Sequence, residues 1–207
     1  MVENGLRFIE IQQLSDDLLL PWLDLFETAF PAVERVLVSS LLEIVRALVP
    51  NNAEGDHLVA ATDETGAFAG LMAYQIRQDA RLALLCYLAV APSLRNRGLG
   101  SVMYGEMLSR ARQARSQLLL FEVERPDHAD TNDGRATAER RIEFYRRKGA
   151  RLLEGIQYEQ VVGWHQPPLP MYLMAHPLEP MDDLSVFRSA HSILGPQIVQ
   201  TGSLRLG

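Results

Sequence analysis

The sequence predicts a mixed α/β fold, a central β-sheet with parallel and antiparallel strands and helices against its faces. Three observations point to it. The run Leu82-Ala83-Leu84-Leu85-Cys86-Tyr87-Leu88-Ala89-Val90 is apolar at odd and even positions alike, as in a central strand covered on both sides. That run passes through a short basic turn directly into a helical pattern beginning at Gly98. The next strand pattern, Gln117 to Glu124, is reached only across that helix and so lies parallel to the first by a right-handed crossover.

The remaining elements come in order. Leu6 to Leu14 alternates imperfectly, as a first or edge strand does. Ser15, ahead of Asp16 and Asp17, is read as the cap of a helix carrying Leu18, Leu19, Trp22, Leu25 and Phe26, with Pro21 early enough to be tolerated. A second helix is expected from Phe30-Pro31 to about Val49, stopped by Pro50. Asp56 to Thr62 and Ala67 to Arg77 read as hairpin strands around Asp63-Glu64-Thr65-Gly66, and Gln78-Asp79 turns the chain into the central strand.

Beyond the basic turn, Leu99, Met103, Met107, Ala111 and Ala114 recur at the spacing of a helix laid on a sheet. The polar stretch Arg125 to Arg135 reads as a loop. Its Asp130, Asn132 and Asp133 fail as a calcium loop, because Gly134 is one place early and Arg141 stands where the bidentate Glu is needed. A helix from about Thr137 to Lys148 is ended by Gly149, followed by strands near Arg151 to Tyr158 and Met171 to His176. The stiff Gln166-Pro167-Pro168-Leu169-Pro170 between them is expected to stay out of any central strand. After Pro177, Leu184, Phe187, Ala190, His191 and Leu194 fit a short amphipathic helix, a candidate dimer contact or lid.

Composition bounds the function. With 207 residues, 47% hydrophobic and 22% charged, the chain can bury one full core. It divides into a domain over residues 1–177 and a C-terminal extension, 178–207, of short helix and tail. A net charge of −6, with Arg146-Arg147-Lys148 as the longest basic run, argues against a nucleic-acid partner. The single cysteine, Cys86, excludes an intrachain disulfide and a thiolate metal site, and no metal is expected. With no leader and no apolar run of spanning length, the expectation is a cytoplasmic protein without a membrane partner.

The basic turn reads as a seat for phosphate. The first N–H groups of a helix have no intrahelical partner and carry the positive end of its dipole. Gly98 and Gly100 let the backbone approach a ligand closely, and Arg95 and Arg97 add forked, fully charged donors. No Gly-Lys-Ser/Thr follows, which excludes a Walker loop. A dinucleotide fingerprint would need a small residue where Met103 stands.

Arg95-x-x-Gly98-x-Gly100, after a strand and opening a helix, resembles motif A of the GNAT family of N-acetyltransferases. The resemblance covers about Leu6 to His176 and is densest from Tyr87 to Gly149. It implies a GNAT-like mixed sheet whose central strands splay, with acetyl-CoA as co-substrate. The pyrophosphate of coenzyme A would lie on Arg95, Asn96, Arg97, Gly98, Leu99, Gly100 and Ser101, and its pantetheine arm along the main chain of Leu88 and Val90.

Chemistry is expected on the next two elements. Glu122 and Glu124, two apart on a strand, share a face roughly 7 Å apart, and repulsion with partial burial raises the pKa of at least one. Phe121-Glu122-Val123 resembles the Leu-Glu-Val of some family members, which implies Glu122 as the base, with Glu124 beside it. Otherwise both carboxylates pair with Arg125 or solvent. Phe144-Tyr145-Arg146-Arg147-Lys148-Gly149 resembles the family's Phe-Tyr-x-x-x-Gly, which implies Tyr145 as the acid for the departing thiolate. Its stripe with Ala138, Ile142 and Gly149 also suits a core tyrosine. The N–H of Val90 would meet the oxyanion. The chain departs from the family at Ala138, where many relatives carry an Asn that touches coenzyme A, and at Arg141, where they carry a small residue.

The implied activity is transfer of the acetyl group of acetyl-CoA to a primary amine by direct attack on the thioester. The rival is a catalytically degenerate acyl-CoA-binding sensor or interaction protein of the same fold. Glu27, Glu34, Glu122, Glu124 and Asp127 fall on segments expected to face the acceptor, with Trp164 and Tyr172 as walls. That points to a cationic small-molecule or peptide amine, unless these acids are scattered over solvated surface. His128, His165 and His191 are read as solvated.

Overall fold

A computed structural model describes residues 5–47, 54–161 and 167–207. Eight strands form one sheet: β1 (Arg7–Glu10), β2 (Gly55–Thr62), β3 (Phe68–Arg77), β4 (Leu82–Val90), β5 (Leu118–Glu124), β6 (Arg151–Gln160), β7 (Leu169–Pro177) and β8 (Ile198–Leu206). Their order is β1-β2-β3-β4-β5-β7-β6-β8. Every neighbouring pair is antiparallel except β4 and β5, so the sheet is mixed, as expected.

Five helices cover it: α1 (Leu19–Ala29), α2 (Val38–Ala47), α3 (Leu99–Gln113), α4 (Asn132–Arg147) and α5 (Asp183–Leu194). On one face α3 and α4 press Tyr104, Met107, Ala111, Ile142 and Tyr145 onto Met72, Leu85, Leu119 and Phe121. On the other, α1 and α2 bring Trp22, Phe26, Leu41 and Val45 onto Leu58, Leu71 and Ala73. There α5 also buries Val186, Phe187, Ala190 and Leu194 against Leu118, Leu120 and Leu173. Each fully buried aliphatic or aromatic side chain contributes about 1.5–3 kcal/mol. The residues after Pro177 thus supply α5 and also β8, which pairs with β6 where the sequence suggests only a tail. No helix among the described residues is long and apolar enough to cross a membrane.

Besides β8, the structure departs from the sequence pattern at five places. The most consequential is a bulge in β4. Its register with β3 passes from Leu85 opposite Tyr74 to Tyr87 opposite Ala73, leaving Cys86 as an extra residue. A bulge advances the strand by one residue, so every side chain beyond it changes face. Leu88 and Val90 therefore join Ala83 and Leu85 on the α3 side, not Leu82 and Leu84 as strict alternation predicts. Tyr87 and Ala89 turn toward α1.

The other four are local. Ser15 does not cap α1: the cap position is Leu18, with no side-chain cap, and the Asp16 carboxylate closes the turn before the helix by accepting from the N–H groups of Gln12 and Gln13 at 2.7 and 3.1 Å. The second helical segment opens with a 3₁₀ turn, Ala32–Glu34, before α2; Val49 and Pro50 lie outside the described residues. Helix α4 begins at Asn132 rather than Thr137, because Thr131 caps it by accepting from the Gly134 N–H at 3.0 Å. Leu169 and Pro170 belong to β7, which lies between β5 and β6. The last β5 residue, Glu124, faces Met171, so Pro170 extends past the end of β5 and its missing N–H breaks no ladder there.

Gly70 on β3 sets how closely the chain can pack at this end of the sheet. A Cβ there would lie 2.6 Å from the Ala89 carbonyl oxygen and 2.9 Å from the Met103 sulfur, with backbone on one side and the α3 core on the other. Gly70→Ala is expected to destabilise the protein by about 1–3 kcal/mol. Urea unfolding should show a lower midpoint with an unchanged slope.

Candidate functional site

The site is built where two strands part. β4 pairs with β5 only from Leu82 opposite Leu118 to Leu85 opposite Phe121, although β4 runs on to Val90 and β5 to Glu124. The Ala91 N–H donates to the Ala69 carbonyl at 2.9 Å on the β3 side. Backbone groups alternate along a strand, so the N–H and C=O of Leu88 and Val90 point the other way, into the gap. Consistently, the Val90 carbonyl accepts from Arg95 Nε at 3.2 Å.

The basic turn closes one end of this gap. Asn96 and Gly98 are both left-handed, at φ 62° and 80°. Among the described residues no acceptor meets any N–H from Asn96 to Gly100, and bonding resumes with Ser101 N–H to the Gly98 carbonyl at 2.9 Å. A Cβ at Gly98 would touch nothing, and one at Gly100 would reach Val90 and Phe144 only at 4.0 Å. The glycines thus border open space rather than protein. Arg95, Asn96 and Arg97 are exposed around it.

Glu122 and Glu124 stand on the opposite wall, with different partners. Glu122 accepts from the Tyr158 hydroxyl and the Gln160 amide, and burial pushes its pKa up against those two bonds. Glu124 pairs with Arg141 of α4. Arg125 is taken by Asp127 at 2.6 Å and lies over the Tyr172 ring, so it pairs with neither glutamate. Glu34 joins the group electrostatically. Burial first, then the charges of Glu124 and Glu122 against that of Arg141, raise its pKa to about 7. Its turn is clamped to β4 by Tyr87, whose hydroxyl donates to the Glu34 carbonyl at 3.1 Å and accepts from the Val36 N–H at 3.1 Å. Glu27, itself exposed, pairs with the largely buried Arg35 at 3.2 Å.

Tyr145 packs from α4 against Phe121, the last β5 residue paired with β4. Its ring packs on Phe121, Tyr104 and Phe144 with centroids 4.4, 5.0 and 5.0 Å away. Its hydroxyl has no hydrogen bond among the described residues and is not one of the sealed, unpartnered oxygens. Burial raises its pKa to about 12, with Arg141 opposing, so it holds its proton at neutral pH.

Beside the gap, on the α1, α2 and α5 face, lies a cavity of about 370 Å³, a size that suits a small ligand. Its walls include Cys86, Tyr87, Glu122, Tyr158, Leu194 and Gln197. The Tyr158 hydroxyl lies 3.1 Å from Gln197 Oε1 as well as on Glu122, tying the C-terminal segment to the carboxylate. Sequence reasoning misses Tyr158, Gln160, Leu194 and Gln197. Tyr158 and Gln160 arrive through the pairing of β6 with β7, Leu194 at the end of α5 and Gln197 in the turn before β8, long-range placements that no local pattern announces. Tyr172 is not part of this lining, and Trp164 and His165 lie outside the described residues. Among the described residues no group of three or more His, Cys, Asp or Glu is placed to hold a metal ion.

A model of the Acetyltransferase (GNAT) family matches residues 19–150. A solved chain from Bacteroides thetaiotaomicron, assigned to the GNAT family of acetyltransferases, is 25% identical, with a TM-score of 0.71 over 91% of this chain and 95% of its own. Spermidine/spermine N-acetyltransferase SpeG from Vibrio cholerae, 13% identical, shares the fold with a TM-score of 0.58 over 84% of this chain and 93% of its own. A dodecameric spermidine N-acetyltransferase from the same organism, 14% identical, gives 0.61 over 85% and 95%. No curated protein matches the sequence. Tyr158, Gln160, Leu194 and Gln197 all lie beyond the family match.

The raised pKa of Glu34 makes stability depend on pH. Unfolded, this carboxyl releases its proton near 4.5, whereas folded it holds it up to about 7. The folded state therefore binds more protons across that window, and stability falls as pH rises through it. Glu34→Gln should remove this part of the slope, at most about 1.4 kcal/mol per pH unit. Urea unfolding of both proteins at several pH values across the window measures it.

Proposed function

This chain belongs to the acetyltransferase (GNAT) family, and from that premise we propose that it transfers the acetyl group of acetyl-CoA to a primary amine by direct attack on the thioester. One observation carries the reading: the parting of β4 from β5 beside a turn whose N–H groups from Asn96 to Gly100 await acceptors. The pyrophosphate of coenzyme A takes those N–H groups and the charges of Arg95 and Arg97. The amides of its pantetheine arm pair with Leu88 and Val90 as an added strand would. Leu99 and Ser101 shape the first turn of α3 beneath the phosphates.

That path leads the thioester to the gap between Glu122 and Tyr145. A lysine-like amine of pKa ~10.4 is neutral in only about one molecule in a few thousand at pH 7, so a base is needed. Glu122 takes the proton, directly or through water, with its raised pKa bringing it closer to the amine's. Glu124, held by Arg141, contributes charge rather than proton transfer. The amine nitrogen bonds to the carbonyl carbon, and the N–H of Val90 meets the negative oxygen that forms. The C–S bond then breaks, and the thiolate takes the Tyr145 proton. The acids Glu34, Glu122 and Glu124 draw a cationic acceptor to the gap.

Two measurements test this. Gly100→Val should fold, since its Cβ has room in the free protein, yet its branched side chain fills the space left for the phosphates. Calorimetry should show acetyl-CoA affinity lowered by at least about tenfold, or 1.4 kcal/mol; wild-type affinity in the folded variant would sink the reading. Tyr145→Phe should lower kcat roughly a hundredfold while leaving acetyl-CoA affinity intact. In thiol-release assays an unchanged kcat would reduce Tyr145 to core packing. Acyl-CoA binding without thiol release from any amine would mean a sensor instead.

A further inference from the structure

The cavity beside the gap holds a second acid that acetyl transfer does not use. Asp56 on β2 lies in its wall with Glu122; among the described residues the lining contains no lysine or arginine, and its one histidine, His57, is engaged by Glu10 at 3.7 Å. Each carboxylate is served by neutral donors alone: Glu122 by Tyr158 and Gln160, Asp56 by the Gln75 amide at 2.6 Å. Neither has an ion-pair partner among the described residues. Gln160 Oε1, on the same wall as Glu122, is buried without any donor. Enclosed charge without a counter-charge is costly. The wall is therefore short of donors and of positive charge, and a ligand can supply both.

Register fixes where the two acids stand. Asp56 faces Gln75, Gln75 faces Leu84, and Leu84 faces Leu120, two residues before Glu122. The acids are thus three strands apart and offset by two residues, about 16 Å between backbones at the usual spacings. Between them the cavity is apolar. Leu84, Ala73 and Cys86 form its floor, and Leu41, Ile44 and Leu194 stand over it. Burial, reinforced by Glu122 and Asp56 themselves, pushes the Cys86 thiol up, so the floor carries no charge.

We propose that this cavity takes a dicationic acceptor, an amine whose apolar body ends in a second ammonium or guanidinium group bound by Asp56 while the reacting amine meets Glu122. The inference rests on the acetyl-transfer reading for which face receives the acceptor. Asp56 is then a specificity-determining residue, remote from the reacting atoms. Its carboxylate pairs with the distal cation, and the apolar floor takes the intervening methylenes. A monoamine of equal length fills the floor and leaves Asp56 unpaired.

The test compares diaminooctane, with an amine at each end, against octylamine. Calorimetry on protein saturated with coenzyme A should show the diamine bound at least about tenfold more tightly. Asp56→Asn should erase that preference while leaving octylamine affinity within about twofold of wild type. Equal affinity for the two amines in wild type, no diamine binding, or an Asp56→Asn loss shared by both amines would overturn the inference. Thiol release separates it from the underlying reading. Acetylation of octylamine as efficient as that of the diamine would overturn the dication and keep the transfer. Asp56-dependent diamine binding without thiol release would keep the dication and overturn the transfer.

Discussion

The site depends on a length of backbone that has a partner on one side only. β4 stays paired with β3 all the way to Val90, but β5 accompanies it no further than Leu85. Backbone polar groups left without partners are costly when enclosed, so a sheet does not open at its centre without cause. Here the bulge at Cys86 bends the strand and rotates Tyr87 to Val90 beyond it. Bulky neighbours hold the opening: Tyr145, Phe121 and Phe144 form one aromatic cluster below it. The rest of the molecule maintains that wedge, with α3 and α4 filling one face and α1, α2 and α5 the other.

Charge is distributed across the wedge in opposite senses. The turn that opens α3 offers arginines and free N–H groups, while the far wall gathers Glu34, Glu122 and Glu124. One ion pair, Arg141 with Glu124, links the helix beneath to the acidic wall. It supplies Glu124 with a counter-charge and opposes the repulsion that raises the pKa of Glu34. Arg141 thereby gives two chemically identical side chains different surroundings, a cation for Glu124 and neutral donors alone for Glu122.

Local chemistry made much of this legible. The basic turn could be read because Gly98 must adopt a left-handed conformation and helix starts need acceptors, both of which leave marks in sequence. The parallel pair could be read because a helix intervenes between two strands. The β4 bulge could not, since a strand apolar at every position gives no alternation for an extra residue to interrupt. Thr131 was hidden among polar residues that resemble a loop as much as a cap. Tyr158 reaches Glu122 from β6 across the intervening β7, and Gln197 arrives beside it from the 3₁₀ turn before β8. Such contacts depend on long-range register, about which neighbouring residues carry no information. Pro170 misled for a related reason: its tolerance rests on where β5 happens to end.

The wall formed by Leu194 and Gln197 has a consequence for synthesis. The turn, the wedge and Tyr145 are all encoded before Ala150, whereas this wall follows Tyr145 by roughly fifty residues, on the order of five seconds of translation. Until it emerges, Glu122 lacks the contact through Tyr158 and Gln197, and the apolar floor of the cavity is uncovered. A ribosome-bound chain therefore passes through a stage in which the basic turn and the wedge are complete in sequence while the cavity is an exposed hydrophobic trough. That stage is where a chaperone would find its purchase and where premature termination would leave a sticky, unfinished product.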